Sequence, residues 1–358
     1  MNLSYWEYKS WFTNVDFTIV GSGIVGLHAA LNLREKFPKS KILILEKGTL
    51  PEGASTKNAG FACFGSLSEI VDDLQNQSPE EVFKLISKRW EGLHLLRNRI
   101  GDEALDFQQN GGYELFIEKD KAIFEECLEQ LDFVNELLFP LFKNSVFKIQ
   151  NDHFGFQNIR QQLIFNPFEA QIDTGKMMQK LQKLAYAEGI LILNNQTVTD
   201  YQEKDSEVEV SLGDFSFSTK KLFFATNGFS KDLFSADVQP ARAQVLITKP
   251  IPDLKIKGTF HLDKGYYYFR NIDNRILFGG GRNLDFHGET TTDFGNTNLI
   301  QNELERLLKE VILPNQHFEI EQRWSGIMGM GQTKNPIVKQ LSNHVYCGVR
   351  LGGMGVAI

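Results

Sequence analysis

Three glycines and one acid carry the first chemical signal: Gly21, Gly23 and Gly26 within Gly21-Ser22-Gly23-Ile24-Val25-Gly26, and Glu46 further on. Gly21 permits a tight turn. Gly23 lets backbone approach a pyrophosphate with no Cβ in the way, and Gly26 lets a helix pack close to the preceding strand. Ile24 and Val25 open that helix, whose free N–H groups and dipole favour negative charge at this end. A carboxylate at Glu46 can accept hydrogen bonds from a ribose diol. A second signal is Tyr266-Tyr267-Tyr268. With a period of two, Tyr266 and Tyr268 share one strand face and Tyr267 the other. Three adjacent phenols are more than a core usually needs, so Tyr266 and Tyr268 are candidates for lining a site.

The elements that must hold these residues read clearly at the start of the chain. Val15-Asp16-Phe17-Thr18-Ile19-Val20 is a strand, an apolar-periodic helix runs from the glycines to Phe37, and Lys41-Ile42-Leu43-Ile44-Leu45-Glu46 is a second strand. With two strands, a helix and an acid around the glycines, dinucleotide binding outweighs an ordinary glycine turn. Lys47 to Gly60 follows as a long polar loop whose side chains are too small to be core.

The 358 residues exceed one typical domain, so two are expected. A charge of −7 and the lack of a Lys/Arg cluster argue against a nucleic-acid partner. Cys63, Cys127 and Cys347 are far apart with no CxxC, which suggests neither a disulfide framework nor a zinc motif. No run approaches the length of a membrane span, and there is no signal-peptide apolar region, so a cytoplasmic protein is the expectation. The aromatic first fourteen residues are expected to pack on the nucleotide domain.

Ser78-Pro79-Glu80-Glu81 opens a helix with the stripe Val82, Ile86, Trp90, Leu93, Leu96 and Ile100. Asp120 opens another, with Phe124, Cys127, Leu131, Val134 and Leu138 on one face. His94 lies off the first stripe and reads as structural. A helix from Ile172-Asp173-Thr174 ends at Gly189, and Thr197-Val198-Thr199 begins a strand. Leu222 to Phe224 is a buried strand that ends in the small-residue turn Ala225-Thr226-Asn227-Gly228. Tyr266 to Arg282 reads as a hairpin turning at Asp273-Asn274.

Gly53-Ala54-Ser55-Thr56-Lys57-Asn58-Ala59-Gly60 resembles the GASxxNAG-type loop of the D-amino-acid oxidase-like flavoprotein family, which includes glycine and sarcosine oxidases. Ala225 to Gly228 is similar to that family's ATG-type strand end. Arg323-Trp324-Ser325-Gly326 is similar to its RWAG segment, and Val345 to Gly355 to its last strand and glycine loop. The resemblance spans nearly the whole chain and is weakest from 66 to 165. It implies FAD as cofactor. The binding set would be Gly21, Gly23, Ile24, Val25, Gly26, Glu46, Lys47, Ser55, Thr56, Asn58, Ala59, Gly60, Val198, Ala225, Thr226, Asn227, Gly228, Gly352, Gly353, Met354 and Gly355. In relatives the terminal loop feeds a helix facing the flavin, whereas this sequence ends at Ile358. Cys63 lies just past the first loop, and covalent flavin attachment stays open.

The implied fold class is α/β: a Rossmann-type FAD-binding domain interleaved with an α+β substrate domain on an antiparallel or mixed sheet. Residues 1–80, 166–232 and 321–358 would form the first, and 81–165 and 233–320 the second. The implied reaction is hydride transfer from an amine or modified amino acid to flavin, giving an imine that hydrolyses. Arg282 and Arg350 stand where relatives place polar site residues. Each would be either a carboxylate clamp or a structural ion pair. Met328 replaces an arginine frequent in amino-acid oxidases of this type, which disfavours simple amino acids. Oxygen or another acceptor, such as a quinone or carrier, takes the electrons. The remaining alternative is an FAD-binding module without turnover.

Overall fold

The computed structural model describes residues 2–231 and 233–358. Its first sheet is built on Val15–Val20, flanked by Phe215–Phe224 on one side and Ile42–Leu45 on the other, with Val345–Val349 and Leu191–Leu193 beyond. All five strands run parallel. Ile42–Leu45 is buried at every position, as a parallel strand covered on both faces must be. Edge strand Ile337–Gln340 is antiparallel, and Val208–Leu212 with Asp200–Glu203 forms an antiparallel flap on Phe215–Phe224. Helices Ile24–Lys36 and Thr174–Ala187 pack together. The strand expected at 197–199 begins instead at Asp200, leaving Val198 outside it.

The second sheet runs in the order Ile320–Met330, Gln239–Thr248, Arg275–Gly280, Tyr267–Ile272, Thr259–Leu262, Gly112–Leu115, Gln162–Asn166 and Lys148–Asn151. It is mixed, since Thr259–Leu262 pairs parallel to Gly112–Leu115 and antiparallel to Tyr267–Ile272. Asp273 and Asn274 turn its central hairpin with φ of 47° and 57°, as a two-residue I′ turn requires. One face carries a Phe-rich core in which Phe260 and Phe269 stack at 4.5 Å, packed with Leu304, Leu308 and Val311. A separate helical core joins Leu67–Leu74, Pro79–Ile100 and Lys121–Phe142. Ser78 caps the long helix through the expected capping box. Cys127 is fully buried in this core, where burial pushes its thiol pKa up.

The chain divides into two units: residues 1–58, 174–241 and 327–355, and residues 59–173, 242–326 and 356–358. The largest departure from the expected boundaries is at 58 rather than 80. Strand Phe61–Ala62 pairs with Ala170–Gln171, and helix Leu67–Leu74 packs on Lys121–Phe142, which draws 59–80 into the second unit. At the N-terminus, Phe12 inserts against Phe215 and Phe217 at 4.8 and 5.1 Å. Tyr5 and Trp6 do not pack as expected and stay 67% and 70% exposed. No helix among the described residues is long and apolar enough to cross a membrane.

Candidate active site

In the first unit the glycine turn is sterically closed. Gly21 has φ +103°, and a Cβ there would lie 2.8 Å from the Ala225 oxygen. A Cβ on Gly26 would lie 1.9 Å from the Gly21 carbonyl oxygen. Gly23 faces Ser55, whose Oγ accepts the Ile24 N–H at 2.9 Å, so the polar loop seats directly on the helix N-terminus. Val25 packs toward Gly348 of the last parallel strand. Glu46 is buried and accepts the Ser22 N–H at 2.9 Å, the Ser22 hydroxyl at 2.7 Å and the Gly48 N–H at 3.1 Å. It therefore braces the glycine turn, a role that its spacing alone did not reveal.

Within the loop, Thr56 donates to the Pro51 carbonyl, and Asn58 donates to Ser55 while accepting from Thr174 at 2.9 Å. Lys47 turns to the Phe229 ring, 3.5 Å from its centroid. The turn Ala225 to Gly228 meets the terminal loop, because the Leu351 N–H donates to Asn227 Oδ1 at 3.2 Å. Thr226 bonds to Ser230 at 2.9 Å, and a Cβ on Gly228 would meet the Met328 oxygen at 2.5 Å. Met354 ends the short turn Gly352–Met354, and Gly355 faces Leu351.

Two features of this unit fit a dinucleotide. Val198 is 6% exposed, yet its backbone N–H and C=O make no hydrogen bond among the described residues. Buried backbone groups rarely go unpaired, and a base edge would satisfy them. Gly353 has neither a left-handed backbone nor any atom within 4 Å of its Cβ position, so the chain itself does not demand a glycine there. Ala59 and Gly60, which belong to the second unit, are held by it: the Ala59 carbonyl accepts from Arg270 and the Gly60 carbonyl accepts the Ile172 N–H at 2.8 Å.

Arg350 is committed within the first unit. At φ +62°, it donates to the Asn335 carbonyl at 2.9 Å, to Thr333 at 3.1 Å and to the Asp237 carboxylate. Every guanidinium nitrogen is used, which favours the structural ion pair over the carboxylate clamp. Arg350→Lys is therefore expected to lower stability by ~1–2 kcal/mol while leaving anaerobic flavin reduction within about twofold of wild type. Slowing of roughly 30-fold without any loss of stability would restore the clamp.

The second unit treats its three tyrosines differently. The strand begins at Tyr267, which is buried in the Phe-rich core. Tyr266 lies in the preceding turn, its ring 5.7 Å from Phe286, so it does not share a strand face with Tyr268 as the period predicted. Tyr268 sits on the opposite face of the sheet beside Phe61 and over Gly279. Burial pushes its phenol up to about 12, and the hydroxyl makes no hydrogen bond among the described residues. The Arg282 guanidinium stacks on Phe286 at 4.8 Å and makes no hydrogen bond or ion pair among the described residues. Burial holds its pKa below the usual guanidinium value, and Tyr266 and Glu289 are the groups that oppose this. The loop beyond Arg282 is pinned by a bidentate Arg242–Glu289 pair at 2.9 and 2.8 Å.

Several buried charges escaped the sequence reading. Arg270 is 3% exposed and donates to three backbone carbonyls, of Ala59, of Ile172 at 3.0 Å and, at the longer distance of 3.5 Å, of Asn271; burial lowers its pKa to about 10. Glu114 accepts from the Ser66 and Ser68 hydroxyls and from the Ser68 N–H at 3.1 Å, and burial raises it to about 7. His261 Nε2 lies 2.9 Å from Glu169. Burial disfavours the imidazolium, but Glu169 outweighs it and raises His261 to about 9. The available signal was a lone charged residue inside each otherwise apolar strand, as in Gly112–Leu115 and Thr259–Leu262.

The family described as FAD dependent oxidoreductase matches residues 16–358. The chain is 20% identical to the probable oxidoreductase OrdL of Haemophilus influenzae, covering 96% of this chain and 80% of that protein. It is 24% identical to the gamma-glutamylputrescine oxidoreductase of Escherichia coli, covering 95% and 80%. The crystal structure of glycine oxidase from Geobacillus kaustophilus superposes with a TM-score of 0.75 at 18% identity, over 96% of this chain and 90% of that one. At that identity the structural likeness shows a shared fold.

Proposed function

We propose, from the premise that the chain belongs to the family of FAD-dependent oxidoreductases, that it oxidises the C–N bond of an amine or modified amino acid to an imine. The observation that carries this is the family match across the sterically closed glycine turn and the terminal glycine loop. FAD, when bound, would supply the hydride acceptor for the C–H bond next to nitrogen, and the resulting imine would be hydrolysed by water to a carbonyl compound and a free amine.

The chain's own residues would do the rest. Gly21 to Gly26, Ser55 to Gly60 and Ala225 to Gly228 would hold the phosphates and ribityl chain through backbone N–H groups. Glu46, Lys47 and Val198 would hold the adenosine half, and Gly352 to Gly355 the ring end. Glu46 accepts two bonds from Ser22, one from Gly48 and a long one from the Glu52 N–H at 3.5 Å, so a ribose hydroxyl would take the place of the Glu52 contact, since a carboxylate offers about four acceptor sites. Arg282 is the better candidate of the two arginines for a substrate anion, because its fork is uncommitted and partly desolvated. Tyr268 would offer its free hydroxyl as a donor, and Tyr266 would flank Arg282. The substrate class follows that of relatives whose names specify gamma-glutamylputrescine or glycine, with Met328 arguing against glycine itself. Oxygen or a carrier would reoxidise the cofactor.

Arg282→Lys tests this assignment. Losing a bidentate charge-assisted contact costs ~2–4 kcal/mol, or roughly 30- to 1000-fold in kcat/KM for a substrate bearing a carboxylate. Carbonyl product measured by trapping should fall by that factor while the melting temperature holds. Unchanged kcat/KM would remove Arg282 from the site.

A further inference from the structure

We propose that Cys63, Glu169 and His261 form a binding site for one zinc-class divalent ion within the second unit. One donor atom from each side chain lies within 4.8 Å of the others. Thiolate sulfur, imidazole nitrogen and carboxylate oxygen are the donor set that zinc takes. Three protein ligands leave the fourth tetrahedral position open.

The backbone holds two of these donors opposite each other. Strands Phe61–Ala62 and Ala170–Gln171 pair antiparallel with Ala62 opposite Ala170, so the next residues outward, Cys63 and Glu169, face each other across the pair. His261 is brought in by the strand Thr259–Leu262. At zinc bond lengths of about 2.0–2.3 Å, ligand atoms stand roughly 3–4 Å apart, so side-chain rotations of order 1 Å would close the set.

Cys63 adds a third donor that an ion pair does not need. A His261–Glu169 pair accounts for two of the three side chains. Cys63 is 5% exposed, and its sulfur makes no hydrogen bond among the described residues. The surroundings are those of a supported site. Thr259 Oγ1 donates to Glu169 at 2.8 Å and Asn166 Nδ2 donates to it at 3.5 Å, which orients the carboxylate as outer-shell partners do. A cavity of about 10 Å³ lined by Glu114, Asn166, Glu169 and His261 adjoins two of the three donors, Glu169 and His261, with room for about one water.

The three donors come from residues 63, 169 and 261, which is why no linear spacing announced them.

The test uses the purified holoprotein, stripped with chelator, equilibrated with zinc chloride and desalted. The expected result is about one zinc per chain by elemental analysis, with one sulfur among nitrogen and oxygen neighbours in X-ray absorption. Cys63→Ala keeps the His261–Glu169 pair and nearly the same volume, so it should fold. It should hold below about a tenth of a zinc per chain and lose the zinc-dependent rise in melting temperature seen in wild type. Wild type that retains no zinc, or a Cys63→Ala variant that binds zinc as wild type does, would overturn the site and leave only an ion pair.

Discussion

Gly26→Ala is expected to yield a colourless protein. The added methyl would stand 1.9 Å from the Gly21 carbonyl oxygen, 3.1 Å from its carbon and 3.4 Å from Ile19 Cγ2. The obstacle is backbone, so no side-chain rotation relieves it. The helix Ile24–Lys36 must retreat from the turn, and the Ile24 N–H then leaves Ser55. Overpacking of this kind costs ~1–3 kcal/mol even where side chains can yield. A loss of ~3 kcal/mol in cofactor affinity is roughly 100-fold. Flavin content per mole of protein and FAD titration by fluorescence quenching read the effect. Gly53→Ala is the control, since Gly53 has an ordinary φ of −69° and nothing within 4 Å of its Cβ position. Gly26→Ala that bound FAD as tightly as Gly53→Ala would show that the turn does not hold the cofactor.

Arg270→Met is expected to be the most damaging single change in the second unit. Methionine fills part of the space but leaves the Ala59 and Ile172 carbonyls without their donor. Hydrogen bonds to a charged group contribute ~1.5–3 kcal/mol each, and relief of the buried charge offsets part of the loss, so a net of ~2–4 kcal/mol is expected. Ala59 and Gly60 continue the polar loop, so the variant should also lose flavin faster than wild type. Arg270→Lys reaches one carbonyl at most and should fall between the two. Denaturant unfolding and the flavin release rate measure both effects. A methionine variant as stable as wild type would mean that the two carbonyls find other donors.

What was legible in the sequence was local. The glycine turn, the Ser78 cap and the Asp273-Asn274 hairpin are each written within a few residues, because backbone conformation and capping act over that range. What was not legible is set by pairing across the chain. Arg350 meets Asp237, 113 residues away in sequence, and nothing near Arg350 distinguishes that partner from a substrate carboxylate. The boundary at 58 follows from the pairing of 61–62 with 170–171, a short strand that periodicity cannot detect. Tyr266 and Tyr268 part because the strand starts between them, and strand ends are poorly fixed by a period of two. Glu46 was placed correctly at the end of its strand, but its bonds to Ser22 and Gly48 depend on the folded loop.

The central claim is tested most directly by anaerobic mixing of the purified protein with a panel of amines, N-substituted amino acids, glycine and D-alanine, followed at the oxidised-flavin absorbance band. Flavin released on denaturation is expected to be FAD. At least one amine or modified amino acid should bleach the band, faster than glycine or D-alanine, and colour should return on adding oxygen or a quinone. A protein that carries no FAD and cannot be reconstituted, or one whose FAD is reduced by dithionite but by no amine in the panel, would contradict it.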